Sequence, residues 1–235
     1  MIDSISVLDH GWIKLRNVSG PTRRSDRPFD ADDVDPANSA RMSFGQMDSG
    51  RTREQDLKLA EYLMKNEHLV PFEMIQVWLE YKLPIFVARQ MIKHRAQSVS
   101  EVSARYTKLP AEWYIPKLEV ICGKAESNKQ GRSAMQHAEA EWFQKELDSQ
   151  CDASYRLYEL SLAKGIAPEI ARTFLHVNHY THWLSSMDLR NLMHFLSLRT
   201  HPHAQYEARV YAEAVLELLD GALPDLMQLY RRYYV

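Results

Sequence analysis

The chain has 235 residues, with 29 Lys and Arg against 31 Asp and Glu for a formal charge of −2, and it is 45% hydrophobic and 26% charged. That balance excludes a disordered or coiled-coil protein and leaves no global field to recruit nucleic acid or an acidic membrane, so any anion site must be local. The opening residues lack a basic leader followed by an apolar run, and no stretch approaches the ~20 apolar residues that cross a bilayer. The expectation is one cytoplasmic domain over 1–235, with Cys122 and Cys151 as free thiols because neither sits in a paired-cysteine pattern.

In chain order, Ile5, Val7, Ile13 and Leu15 alternate well enough to predict two short strands turning at Asp9-His10-Gly11. Residues 20–38 are rich in Pro, Asp, Ser and Arg and read as a surface loop. Leu57, Leu59, Ala60, Leu63 and Met64 recur at three- and four-residue spacing, which predicts a helix from Thr52 to about Lys65. Beyond Pro71, Ile75, Val77, Leu79, Tyr81 and Leu83 alternate with Met74, Gln76, Trp78, Glu80 and Lys82, the pattern of a strand with two unlike faces.

Pro84 suits a first helical turn, and Ile85, Ala88, Ile92 and Ala96 form an apolar stripe for a helix over 85–96. Gln90, Lys93, His94 and Gln97 share the opposite, polar stripe. Residues 110–131 read as a loop, and 132–235 as mostly helical, with helices at about 132–164, 167–181, 186–199, 204–220 and 223–233. Gly131, Gly165, Gly221, Pro168 and Pro224 supply the breaks. The fold class is therefore α+β, a small antiparallel sheet packed against a mainly helical body.

Between Arg89 and Lys108 stand five Lys or Arg, one His and a single acid, Glu101. The bland reading is a solvated basic helix face. Against it, the charge spills from a helix end into the polar run Ser98 to Ser103, whose hydroxyls and amides also suit phosphate oxygens. Arg105 and Tyr106 then add a guanidinium for bidentate phosphate binding and a ring on which a base can stack.

The segment Lys93-His94-Arg95-x7-Ser103-Ala104-Arg105-Tyr106 resembles the signature of flavin-dependent thymidylate synthases, with Lys93 where the family has Arg. The resemblance extends over about residues 40 to 210. It takes in Ala40-Arg41-Met42-Ser43-Phe44, His68-x2-Pro71-Phe72-Glu73, Pro84 to Gln90, Ala171-Arg172, Leu189 to Arg199 and His203-Ala204-Gln205-x-Glu207. It implies the reductive methylation of dUMP to dTMP, with methylenetetrahydrofolate as carbon donor, FAD as hydride carrier and NADPH as reductant. It also implies a homotetramer with active sites shared between subunits and no cysteine nucleophile.

Carried onto this sequence, the family's dUMP contacts fall on Gln90, Met91, Ile92, Lys93, Glu101, Val102, Ser103, Ala104, Arg105, Arg172 and Arg199. Arg199 is the expected catalytic residue, since a fixed cation beside uracil favours its N3-deprotonated form; its bland alternative is a helix-terminal Arg answering a dipole. The implied FAD contacts are Ser43, Lys93, His94, Arg95, Glu101, Asp188, Arg190 and His194, with His68 in the folate region. Asp188 and Val70 depart from the family's usual Asn and hydroxyl residue, and Asp188 is expected to meet ribose or Arg190.

Ser103 is expected to position rather than attack, because activation needs a base within hydrogen-bond reach. His176, His179 and His182 recur every third residue, but on the predicted helix they would diverge around the axis, so no metal is expected. The competing readings are a helical protein that binds a nucleotide or RNA without turnover and a metal-dependent hydrolase.

Overall fold

In the computed structural model, which describes residues 4–22, 29–47, 50–124, 132–133 and 136–234, the alternating segments pair into one antiparallel sheet. Strands β1 (Ser4–Val7) and β2 (Gly11–Ser19) form the expected hairpin, with Val7 opposite Gly11. Gly11 is required by close approach: a Cβ there would lie 2.0 Å from the Tyr211 hydroxyl and 2.6 Å from the Val7 carbonyl. β2 pairs with β3 (Gln76–Pro84), and the register shifts between Leu15 and Asn17. Val77, Leu79, Tyr81 and Leu83 are buried on one face of β3, as their alternation predicted.

The remaining strands are β4 (Ser98–Glu101), the two-residue pair β5 (Gly123–Lys124) and β6 (Arg132–Ser133), and β7 (Tyr180–Asp188). The main sheet runs β1-β2-β3-β7-β4, so β7 lies between β3 and the edge strand β4.

The helices among the described residues are α1 (Asp35–Arg41), α2 (Arg53–Lys65), α3 (Ile85–Met91), α4 (His137–Ala163), α5 (Pro168–Ala171), α6 (Leu189–Arg199), α7 (Tyr206–Ala222) and α8 (Pro224–Tyr234). Thr52 starts α2 with a reciprocal capping box to Gln55. Apolar side chains of α3, α6, α7 and α8 close over the inner sheet face to form the main core, including Phe195, Tyr211, Leu218 and Tyr230. Tyr155, Tyr158 and Ala171 form a smaller core where α4 meets α5. No helix among the described residues is long and apolar enough to cross a membrane.

The structure corrects several expectations. The predicted helices over 167–181 and 186–199 are α5, a short 3-10 turn at Arg172–Phe174, strand β7 and α6. The buried face of β7 is Thr181, Trp183, Ser185 and Met187, and its outer face includes Leu184, so polarity does not mark which side faces the core. The predicted helix over 85–96 stops at Met91, leaving Ile92 49% exposed, and Pro84 is both the last residue of β3 and the N-cap of α3. The polar run after it is an edge strand.

Residues 29–38 are not a surface loop: α1 begins at Asp35, and Asp32, Asp33 and Asp35 are almost completely buried. Arg53 answers Asp32 at 2.6 Å and Asp33 at 3.0 Å, while Asp33 also accepts from the Leu226 amide at 3.0 Å. Buried acids are tolerated when paired and hydrogen-bonded in this way. Residues 23–28 of that expected loop, and the Gly131 break, lie outside the described residues. Arg132–Ser133 is strand where helix was expected, and α7 runs through Gly221 to Ala222.

Candidate active site

The basic segment owes its shape to the early stop of α3. Gln97 Nε2 donates to the Met91 carbonyl at 2.9 Å, and the His94 amide bonds the same carbonyl at 3.1 Å, closing the helix into a tight turn. Lys93 and Arg95 project from that turn into solvent, and among the described residues neither has a carboxylate partner. Met91 itself is buried in the core and Ile92 is exposed, so the two predicted dUMP contacts part company: Met91 can reach a ligand only through its backbone.

His94 turns inward, its ring edge-on to Phe195 with centroids 4.9 Å apart. Arg199, the last residue of α6, donates from Nε to His94 Nε2 at 3.1 Å and from Nη2 to the Gln90 carbonyl at 3.4 Å. His94 is therefore an acceptor at Nε2, which requires a neutral ring protonated at Nδ1. Burial, then the Arg199 charge, then His194 push its pKa down to about 4. Gln90, His94, His194 and Arg199, expected on separate ligands, meet in one cluster.

The Ser103 carbonyl receives the Tyr106 and Thr107 amides at 3.0 and 3.1 Å, and its hydroxyl accepts the Arg105 amide at 3.3 Å. This hydrogen bonding shapes a turn, and no base is hydrogen-bonded to Ser103 among the described residues. Ala104 is buried beneath it. Arg105 Nε lies 3.4 Å from Glu169 Oε2, and Arg172 Nε donates to the Glu169 carbonyl at 3.3 Å, so both predicted phosphate ligands converge on one residue.

Glu101 accepts from the Thr181 hydroxyl and, with Val102, borders a cleft of about 700 Å³ on the outer sheet face. Glu80 lies in that cleft, paired with Arg16 and 2.6 Å from His182 Nε2. Trp78, Glu80 and His182 were not singled out as site residues, although their place on the polar face of an alternating strand was the available signal for the first two.

Ser43 and His68 line a second cleft, of about 720 Å³, together with Met42, Phe44, Tyr62 and Val70. Glu73 follows Val70 in the same 3-10 turn and pairs with Arg190 in the first turn of α6. Among the described residues Asp188 meets neither Arg190 nor any other cation: it caps α6, accepting from the Asn191 amide at 2.9 Å and from Asn191 Nδ2 at 2.7 Å. The donor set suits an anionic dinucleotide, with Lys93 and Arg95 unanswered by acids among the described residues and Arg190 exposed in the first turn of α6, paired with Glu73.

No hydrogen bond or ion pair among the described residues joins the Arg199 cluster to the Arg105–Arg172 pair or to the Ser43–His68 cleft. The three remaining histidines of interest are engaged separately: His176 with Ser154 at 2.7 Å, His179 stacked on Tyr155, His182 with Glu80. The first two precede β7 and the third lies in it, so the helical geometry expected of them does not apply. Cys122 and Cys151 are free thiols, and burial pushes the Cys151 thiol pKa up.

Residues 29–225 match the family model described as Thymidylate synthase complementing protein. The chain is 40% identical over 219 residues to a flavin-dependent thymidylate synthase of Ehrlichia ruminantium (strain Gardel), covering 93% of this chain and 69% of that protein. It is 39% identical over 231 residues to another of Gluconobacter oxydans (strain 621H), covering 97% and 72%. Its fold superposes with a TM-score of 0.83 and 25% identity, over 98% of each chain, on the crystal structure of a UMP/dUMP methylase PolB from Streptomyces cacaoi bound with 5-Br dUMP.

Proposed function

The chain belongs to the family of flavin-dependent thymidylate synthases, and on that premise we propose that it converts dUMP, methylenetetrahydrofolate, NADPH and a proton to dTMP, tetrahydrofolate and NADP⁺, with FAD as the flavin. The observation that carries the residue assignment is the anchoring of Arg199 by His94 and the Gln90 carbonyl. An arginine fixed in this way presents a cation to uracil without reorganising when the ring loses its N3 proton. The electron-rich C5 then needs no thiol at C6, in line with the raised pKa of the buried Cys151.

Arg105 and Arg172 bind the nucleotide phosphate, the Ser103–Ala104 turn orients it, and Gln90 and Lys93 contact the rest of dUMP. Lys93, Arg95, Arg190 and His194 hold FAD, with Ser43 and His68 at the cleft that receives flavin and folate rings. When bound, reduced FAD supplies the hydride that completes the methyl group.

The active unit is a homotetramer with sites completed between subunits. Two observations support this: no hydrogen bond or ion pair among the described residues joins the three predicted clusters within one chain, and Met42, Phe44 and Val70 are exposed around the second cleft and Trp142, Leu157 and Leu160 along α4. The decisive experiment is anaerobic. Purified protein should carry oxidised-flavin absorption that bleaches with NADPH and should then form dTMP from dUMP and methylenetetrahydrofolate. Colourless protein that stays colourless with added FAD and yields no dTMP would leave a nucleotide-binding protein without turnover.

A further inference from the structure

A row of polar side chains leads away from Gln90 into the protein. Gln90 Nε2 donates to Gln205 Oε1, Gln205 Nε2 donates to Glu207 Oε2 at 2.8 Å, and the Tyr114 hydroxyl donates to Glu207 Oε1 at 3.4 Å. Glu207 and Tyr114 are buried, whereas Gln90 and Gln205 are half-buried. Gln205 is the residue preceding α7, and Glu207 lies in the first turn of that helix, where negative charge is favoured.

The chemistry of this row is directional. A carboxylate only accepts hydrogen bonds, whereas a carboxamide has one accepting and one donating end and is otherwise indifferent to a half-turn about its last bond. Against Glu207, Gln205 must turn its NH2 inward, which turns its oxygen toward Gln90. That oxygen in turn draws the NH2 of Gln90, leaving Gln90 Oε1 as the end with no partner among the described residues. Reversing either amide would set oxygen against oxygen in this partly buried row, beside the buried Glu207 carboxylate, where a misplaced polar group is costly.

We propose that Glu207 is a positioning residue that acts through Gln205 to fix the side-chain amide of Gln90 with its oxygen toward the nucleotide, where it accepts from a ring N–H or sugar hydroxyl of dUMP. The inference rests on the reading of Gln90 as a dUMP contact. The backbone carbonyl of the same residue accepts from Arg199 Nη2 at 3.4 Å.

A double-mutant cycle on the flavin-loaded enzyme tests it, with equilibrium dUMP binding as the readout. Gln90→Ala should weaken dUMP about tenfold, the loss of one buried hydrogen bond. Glu207→Gln, which leaves the amide of Gln205 without an imposed direction, should weaken it several-fold, and Gln205→Ala, which cuts the row in the middle, should do the same. In the Gln90→Ala background both further changes should be silent to within about twofold, because their only route to dUMP is gone. Tyr114→Phe removes the hydroxyl that donates to Glu207 Oε1 without touching amide polarity and should leave dUMP affinity within the same margin.

Additive losses from Glu207→Gln and Gln90→Ala would make Glu207 a structural residue and overturn the relay while leaving Gln90 as a contact. Unchanged dUMP affinity in Gln90→Ala would overturn the contact itself, and the relay with it. If Glu207→Gln does not fold, the Gln205→Ala cycle decides alone.

Discussion

Arg199 is held by His94: Nε of the guanidinium lies 3.1 Å from Nε2 of a histidine 105 positions earlier in the chain. The contact joins the end of α6 to the turn after α3, and it works only while the ring is neutral, because a protonated imidazole would set one donor against another.

Arg199→Ala should therefore keep flavin and lose at least about a hundredfold in dTMP turnover, the scale on which single preorganised electrostatic groups act. Flavin absorption and single-turnover dTMP formation report the two halves separately. Unchanged turnover would remove Arg199 from its role. Because the His94 pKa is pushed down to about 4, its ring carbons should titrate near that value by NMR, and between pH 5 and 8 the anchor should stay intact. A His94 titration near 6.5 would mean that the contact to Arg199 is not made.

At the proposed phosphate site, Arg105 rests 3.4 Å from the half-exposed carboxylate of Glu169, and exposed pairs of this kind contribute little stability. The guanidinium has to leave Glu169 to meet a phosphate. Arg105→Ala should weaken dUMP at least about tenfold with the rate of flavin reduction by NADPH largely kept, the loss of a charge-assisted pair. Glu169→Gln should bind dUMP no more weakly than the parent. Equal dUMP affinity in Arg105→Ala, measured by titration of the oxidised enzyme, would place the phosphate elsewhere.

His179 should make the fold acid-sensitive. Its ring is buried, and burial, only partly offset by the Pro110 carbonyl and Glu112, lowers its pKa to about 4. The unfolded ring takes up its proton near 6.5, so between pH 6.5 and about 4 the unfolded state binds more protons and stability falls as the pH falls. The effect for this group is up to about 3 kcal/mol, complete below pH 4. Urea unfolding of the parent between pH 7 and 4 should show it, and His179→Gln should flatten the slope. An identical slope in the variant would assign the acid sensitivity to other groups.

Some of this was legible in advance because local and tertiary preferences agreed. β3 has apolar residues at every odd position from Val77 to Leu83 and polar or amphipathic ones between, and the same residues are buried. β7 hid because its inner face alternates Thr181 and Ser185 with Trp183 and Met187 while its outer face carries Leu184, so the two faces do not contrast; the buried Thr181 hydroxyl is answered by Glu101. Asp32, Asp33 and Asp35 read as loop because composition does not show that Arg53 and the start of α8 will meet them. The signature from Lys93 to Tyr106 marked the site, yet its internal wiring did not follow from the motif. The resemblance puts His94 on FAD and says nothing of its bond to Arg199, and Glu207 matches a family position to which the resemblance gives no role.

The cysteines provide the sharpest test of mechanism. A thymidylate synthase that attacks uracil through sulfur needs a thiolate beside the ring, and the thiolate is what burial disfavours. Cys151 is a buried residue of α4 that faces the loop before β7, its Sγ within 3.5 Å of Asn178 Oδ1, with its pKa raised first by burial. Cys122 lies next to β5, and no contact among the described residues ties it to the Arg199 cluster. Changing both to Ala should leave dTMP turnover within about threefold of the parent, with any loss appearing as stability, since removing a buried side-chain atom opens a small cavity at Cys151. If flavin reduction and fold survived while methyl transfer vanished, the chemistry would have to run through sulfur and Arg199 would lose its reason to be anchored.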